Sequence, residues 1–197
     1  TEYVDAVGGL CRQRGIKLHV DGARVFNAAT ALNVPVGRLC RSADSVSVCL
    51  SKGLASPVGS LLVGSEDFIR RARRHRKVLG GGMRQSGVLA VCGLLSLTAM
   101  SKRLHDDHLN ARRLAIGLSQ IPHIEINPDL VRTNIVYFRL PMGNAHKAVQ
   151  VMAKKGVLMG AKDDHTIRAC THYMCPVEAM DYAVKVVRDT MASLYME

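Results

Sequence analysis

Asp21 and Lys52 are the residues whose types and spacing point most directly to chemistry. Each follows a short run that reads as a β-strand: Ile16-Lys17-Leu18-His19-Val20 precedes Asp21, and Ser45-Val46-Ser47-Val48-Cys49-Leu50 precedes Ser51-Lys52. Their separation of 31 residues suits one strand–helix–strand crossover. If the strands are parallel, both side chains leave the sheet at one edge, where open α/β sheets bind ligands. A lone lysine is ordinarily a surface residue, and an aspartate before glycine is ordinarily a turn residue. The setting argues for more. Small residues surround the lysine in Ser51-Lys52-Gly53-Leu54-Ala55-Ser56-Pro57-Val58-Gly59-Ser60, so a flat ring could approach the backbone closely. Arg24 follows Asp21 at one-turn spacing.

An amine and a carboxylate at one sheet edge match the demands of pyridoxal 5'-phosphate. That cofactor needs a lysine for its Schiff base and an acid against its pyridine nitrogen, so that the protonated ring can accept electrons from a substrate carbanion.

The elements that must position these groups alternate. Residues 1–14 read as a helix with Val4, Val7, Leu10 and Cys11 on one stripe, stopped at Gly15. Residues 23–33 form a second helix, broken near Asn33-Val34-Pro35. A third strand is expected at Ser60-Leu61-Leu62-Val63-Gly64. Gly80-Gly81-Gly82 interrupts the pattern before a long apolar stretch from Val88 towards Ile121, in which Leu89, Cys92, Leu95 and Leu97 are expected to be mostly buried. Pro122 and Pro128 bracket a change of register, which places a boundary near 115–122. The expected domains are 1–118, part of a large α/β domain, and 119–197, a small C-terminal α/β domain. Within the latter, strands are expected at 134–138, 157–159 and 166–170, and helices at 145–155 and 177–195.

Composition narrows the classes. With 48% hydrophobic and 22% charged residues, 197 residues can bury roughly 70% of the unfolded chain's surface. This excludes a disordered tail, a collagen-like repeat and a disulfide-knotted miniprotein. No uninterrupted apolar run approaches the ~20 residues of a membrane-spanning helix, so a soluble chain without a membrane partner is expected. The sequence opens on Thr1 with no charged-then-apolar leader. The six cysteines form no Cys-x-x-Cys pair, which suggests reduced thiols in an intracellular, cytoplasmic protein.

The formal charge is +11, with 14 Lys/Arg against 6 Asp/Glu in residues 1–100. Six of the cations lie in Arg70-Arg71-Ala72-Arg73-Arg74-His75-Arg76-Lys77. Such a run raises nucleic acid as a partner. With only 4% aromatic residues and no Trp, stacking platforms are scarce, and a solvated face or subunit contact is expected instead. His105 and His108 lie three apart on a charged helix, where solvent exposure is expected rather than a metal site. His172 reads as a hydrogen-bonded structural residue, and the nine methionines suit irregular core filling.

Five segments together resemble the low-specificity L-threonine aldolases: His19-Val20-Asp21-Gly22-Ala23-Arg24, Ser47 to Gly53, Pro57-Val58-Gly59-Ser60, Gly80-Gly81-Gly82-Met83-Arg84-Gln85, and Ile167-Arg168-Ala169-Cys170-Thr171-His172. The resemblance runs along essentially the whole chain, in family order. It implies a fold-type-I pyridoxal phosphate enzyme that cleaves threonine or allo-threonine to glycine and acetaldehyde. It also implies that Lys52 carries the cofactor, Asp21 faces its pyridine nitrogen, and Arg84 lies near the phosphate or substrate. Arg24 and Arg168 would bind the substrate carboxylate, for which the planar guanidinium fork is suited. A cytosolic homotetramer built from dimers is the implied assembly. No histidine here has a strong claim as the base for the β-hydroxyl proton.

Family members are longer and begin well before the segment matching Thr1. The phosphate-cup residues and the ring-stacking histidine are not identified in this chain, which is expected to be the C-terminal part of such an enzyme. The rival readings are a catalytically incomplete remnant of the fold, a β-eliminating lyase, a serine hydroxymethyltransferase-like enzyme and a basic nucleic-acid-binding module.

Overall fold

The computed structural model describes residues 1–195 and divides into two compact units, Thr1–Leu104 and His105–Glu197. The division falls earlier than the 118/119 boundary read from the sequence. The physical reason is that Ala111, Leu114, Ala115 and Leu118 belong to the core of the second unit.

The first unit opens with α1 (Glu2–Gln13). Its apolar stripe docks in part: Val4, Val7 and Cys11 are half-buried, Leu10 is 54% exposed, and Gly8 is the residue of α1 that is fully buried. A Cβ added at Gly8 would lie 2.6 Å from Ser42 Cβ, so the helix lies almost backbone-to-chain there. Asp5, one turn earlier, accepts hydrogen bonds from Arg38 Nη2 at 2.6 Å and Ser42 Oγ at 2.5 Å. These two bonds hold the Asp5 carboxyl at about 2, well below its ordinary 3.8.

The strand before Asp21 is shorter than expected, with β1 covering His19–Asp21. It leads through α2 (Val25–Leu32) and the short α3 (Val36–Cys40) to β2 (Ser45–Cys49). Asn33 caps α2 in the left-handed conformation, where the Asn-Val-Pro signal predicts a break. β1 and β2 are parallel, with Asp21 opposite Ser47. β3 (Ser60–Gly64) then pairs antiparallel with β2, completing a three-stranded sheet of order β1-β2-β3. Val25, Val46, Val48, Leu50, Leu54 and Leu104 form the core of this unit.

α4 (Glu66–Val78) carries the basic run and buries none of its residues. Its N-terminus is capped by the Ser65 hydroxyl, which accepts from the Phe68 N–H. α5 (Gly87–Thr98) differs from expectation. Leu89, Cys92 and Leu97 are only partly buried, Leu95 is 60% exposed, and its buried residues are Gly93 and Ser96. The helix is apolar all round, so this unit covers only one narrow side of it. A 3₁₀ turn (Met100–Arg103) joins it to α6 (Leu104–Ser119). By length and composition the stretch Gly87–Ser119 reaches the size of a membrane span, with mean hydropathy 1.3 over its most apolar window. Polar Ser96, Ser101 and Lys102 interrupt the stretch, which is why it does not stand out in the sequence as an unbroken apolar run.

The second unit is a three-stranded antiparallel sheet of order β4-β6-β5 with α6, α7 and α8 packed on one face. Its elements are β4 (Ile135–Arg139), α7 (Ala145–Lys154), β5 (Gly160–Ala161), β6 (Thr166–Cys170) and α8 (Val177–Tyr195). The strand expected at 157–159 falls instead at Gly160–Ala161, while Leu158 is 83% exposed. Strand alternation sorts the faces. Val136, Phe138, Ile167 and Ala169 point into a closed core with Ala148, Met152 and Val187, whereas Tyr137 and Arg168 lie on the opposite face. Arg113 forks onto Asp181 with bonds of 2.8 and 2.6 Å, joining α6 to α8.

Candidate active site

The parallel β1–β2 pairing brings Asp21 and Lys52 to the same end of the sheet. Asp21 closes β1, and Lys52 lies five residues beyond Ser47, the partner of Asp21 in β2. Asp21 Oδ1 accepts from the Ala23 N–H at 3.1 Å, so the carboxylate shapes its own turn and remains exposed. Gly22 permits that turn: a Cβ there would sit 2.8 Å from both Ser47 O and Val46 Cγ1. Turn residue and candidate ligand are thus the same aspartate.

The Lys52 loop is held by its backbone. Leu50 N–H donates to Gly59 O, Ser56 N–H to Leu50 O, and Ala55 N–H to Lys52 O, each at 2.9 Å. Ala55 sits at φ +59°, the left-handed region that a residue with a Cβ occupies only when surrounding contacts impose it. Gly53 faces buried Asn27 and Leu104, 3.1 Å from where its Cβ would be. Lys52 itself is exposed and forms no ion pair among the described residues.

Arg24 occupies the N-cap position of α2, and its Nε is buried without a hydrogen-bond partner. An orphaned guanidinium N–H beside the Asp21 turn suits an anion brought from outside. Arg84 lies exposed in the loop between α4 and α5, near Gln85 at φ +47°.

Arg168 belongs to the second unit, at the centre of its sheet. It stands on β6 opposite Tyr137 of β4 on one side and Gly160 of β5 on the other. Its Nε is likewise buried and unpartnered. A cavity of about 600 Å³ opens over this face, lined by Tyr137, Lys162, Arg168, Cys170 and His172 among others. His172 Nδ1 accepts from the Met174 N–H at 3.3 Å, the structural role its sequence context suggests. Thr171, next to it, donates to Asp107 O at 2.6 Å from a fully buried position. The sequence reading missed Tyr137 and Lys162, which join Arg168 only through strand register.

His108 is buried rather than solvated, and that burial pulls its pKa down from the ordinary value. Among the described residues no three His, Cys, Asp or Glu side chains cluster as metal ligands.

Asp21, Lys52 and the unpartnered Nε of Arg24 lie in the first unit and the unpartnered Nε of Arg168 in the second, each on an α/β framework. The profile of the beta-eliminating lyase family matches residues 1–141. The chain is 41% identical over 196 residues to low-specificity L-threonine aldolase 1 of Arabidopsis thaliana, covering 98% of this chain and 55% of that protein. It is 43% identical over 173 residues to the low specificity L-threonine aldolase of Escherichia coli O157:H7, covering 87% and 50%. A Leishmania major threonine aldolase structure shares the fold at a TM-score of 0.70 and 17% identity, covering 94% and 55%. The chain belongs to the beta-eliminating lyase family. It spans about half the length of the relatives it matches.

Proposed function

We propose that this chain carries the lysine-bearing part of an aldolase that cleaves L-threonine or L-allo-threonine to glycine and acetaldehyde. The observation that carries the proposal is the arrival of Asp21 and Lys52 at one end of a parallel strand pair. The names of the relatives supply the substrate class.

Bound pyridoxal phosphate supplies an electron sink for the charge left when the substrate's Cα–Cβ bond breaks. Lys52 would hold the cofactor by its amine, Asp21 would keep the ring nitrogen protonated, and Arg84 would meet the phosphate. The orphaned Nε groups of Arg24 and Arg168 would take the substrate carboxylate, fixing which Cα bond lies in position to break. A base must also remove the β-hydroxyl proton, and none of the eight histidines is assigned to that step.

Exposed α5 and β3 support a homotetrameric, two-dimer assembly or further polypeptide covering them. Unpaired thiols support a cytosolic setting, where the enzyme would consume threonine and supply glycine. The family profile also favours a second reading, β-elimination from serine or cysteine. Incubating the cofactor-loaded protein with threonine, serine and cysteine separates the two. Acetaldehyde and glycine from threonine are expected, together with a visible absorbance band that Lys52→Ala removes. Pyruvate from serine with no acetaldehyde from threonine would transfer the assignment to the lyase. A band that survives Lys52→Ala would refute the role of Lys52.

A further inference from the structure

The cavity over the open face of the second unit holds more positive charge than one carboxylate-binding arginine supplies. Arg168 and Lys162 both line it, and its lining contains no aspartate or glutamate. The hairpin explains why Lys162 is there. Gly160 pairs with Arg168, and Lys162 N–H donates to Thr166 O at 2.8 Å. Lys162 therefore stands two residues along from Gly160, on the sheet face shared by Arg168 and Tyr137.

The ammonium is also placed. Its Nζ lies 5.7 Å from the centroid of the Tyr137 ring, within the range of a cation–π contact. Tyr137 is in turn the cross-strand partner of Arg168. A single aromatic ring thus lies beside the arginine in register and beneath the lysine. Neither cation has a carboxylate partner among the described residues. Gly160 leaves the other flank of Arg168 open: a Cβ there would meet nothing closer than Arg168 O at 4.0 Å.

We propose that Lys162, seated on Tyr137, is a second cation of the carboxylate subsite centred on Arg168. This rests on the reading that Arg168 receives the substrate carboxylate, and deepens it. Arg168 offers a directional fork, whereas Lys162 adds a compact charge that raises affinity without setting the geometry. It is a positioning and affinity residue that leaves the bond-breaking step untouched.

The probe is acetate, titrated into the isotope-labelled 197-residue chain by NMR and followed at the Arg168 Nε–H and the His172 ring. Saturable shifts at both are expected. Lys162→Met should weaken acetate binding about 3- to 5-fold, the range of an exposed ion pair, and added salt should narrow the gap. Lys162→Arg should restore binding, Tyr137→Leu should mimic Lys162→Met, and Arg168→Gln should abolish binding. In the cofactor-loaded enzyme Lys162→Met should raise KM for threonine by the same factor with kcat unchanged. Wild-type affinity in Lys162→Met, alongside loss in Arg168→Gln, would overturn the inference while leaving the assignment of Arg168 intact. Acetate binding that Arg168→Gln does not alter, or no binding by the wild type, would overturn both.

Discussion

Single residues set the acid tolerance of the first unit. The Asp5 carboxylate is held by Arg38 and Ser42, and its folded-state pKa of about 2 lies below the ordinary 3.8. A carboxyl depressed in this way contributes its stabilisation fully above about 3.8 and loses it as pH falls through about 2. Protection of the α1 amides against exchange, relative to the unstructured chain at each pH, should therefore fall over that window ahead of β2, and Asp5→Asn should flatten the dependence. Unchanged protection of α1 down to pH 2 would show that the contact does not hold the helix. The candidate site depends on an equally local contact at Gly22. Gly22→Ala would press a methyl group into Ser47 O and Val46 Cγ1, against which β1 and β2 cannot both stay in place. Destabilisation of about 1–3 kcal/mol is expected, as for other overpacked sites. Chemical denaturation measures it, and a loss below 0.5 kcal/mol would mean that the turn accommodates the side chain.

At the scale of elements, neighbouring glycines of α1 should respond in opposite directions. Gly9 has nothing within 4 Å of an added Cβ, so Gly9→Ala should stabilise by up to about 1 kcal/mol through helix propensity. Gly8→Ala would drive the helix off Ser42 and should destabilise. Thermal melts of the two variants decide it, and equal shifts would refute the packing. Much of the element order was legible for a stated reason. The strands Ser60–Gly64 and Thr166–Cys170 and the start of α8 at Val177 are legible to the residue, because short apolar runs mark the strands and Pro176 marks the helix start. Gly160–Ala161 was not, since its strand character comes from pairing with Arg168 and Ile167 rather than from its own side chains. The same distinction divides the site. Asp21 and Lys52 are announced by the strands they follow, whereas the orphaned Nε of Arg24 and the approach of Lys162 to Tyr137 exist only after folding.

Across the whole molecule the two units are unequally finished. The second closes a core in which Val136, Leu140, Met152, Ile167 and Val187 are fully buried. The first leaves Leu61, Leu62 and Val63 of β3 exposed, together with Val88, Val91, Leu94 and Leu95 of α5. Exposed strand edges and contiguous apolar faces drive association, while a net charge of +11 opposes it by repulsion. The two effects scale differently with salt: added ions screen the repulsion and leave the apolar attraction in place. Sedimentation velocity should therefore show self-association that strengthens from low to physiological ionic strength. Leu94→Glu paired with Val91→Lys should weaken that association at unchanged net charge, whereas Leu158→Lys, on an exposed apolar residue of the second unit, should not. Association that falls with salt would instead identify charge pairing as its cause, and association indifferent to the α5 changes would place the contact on another surface.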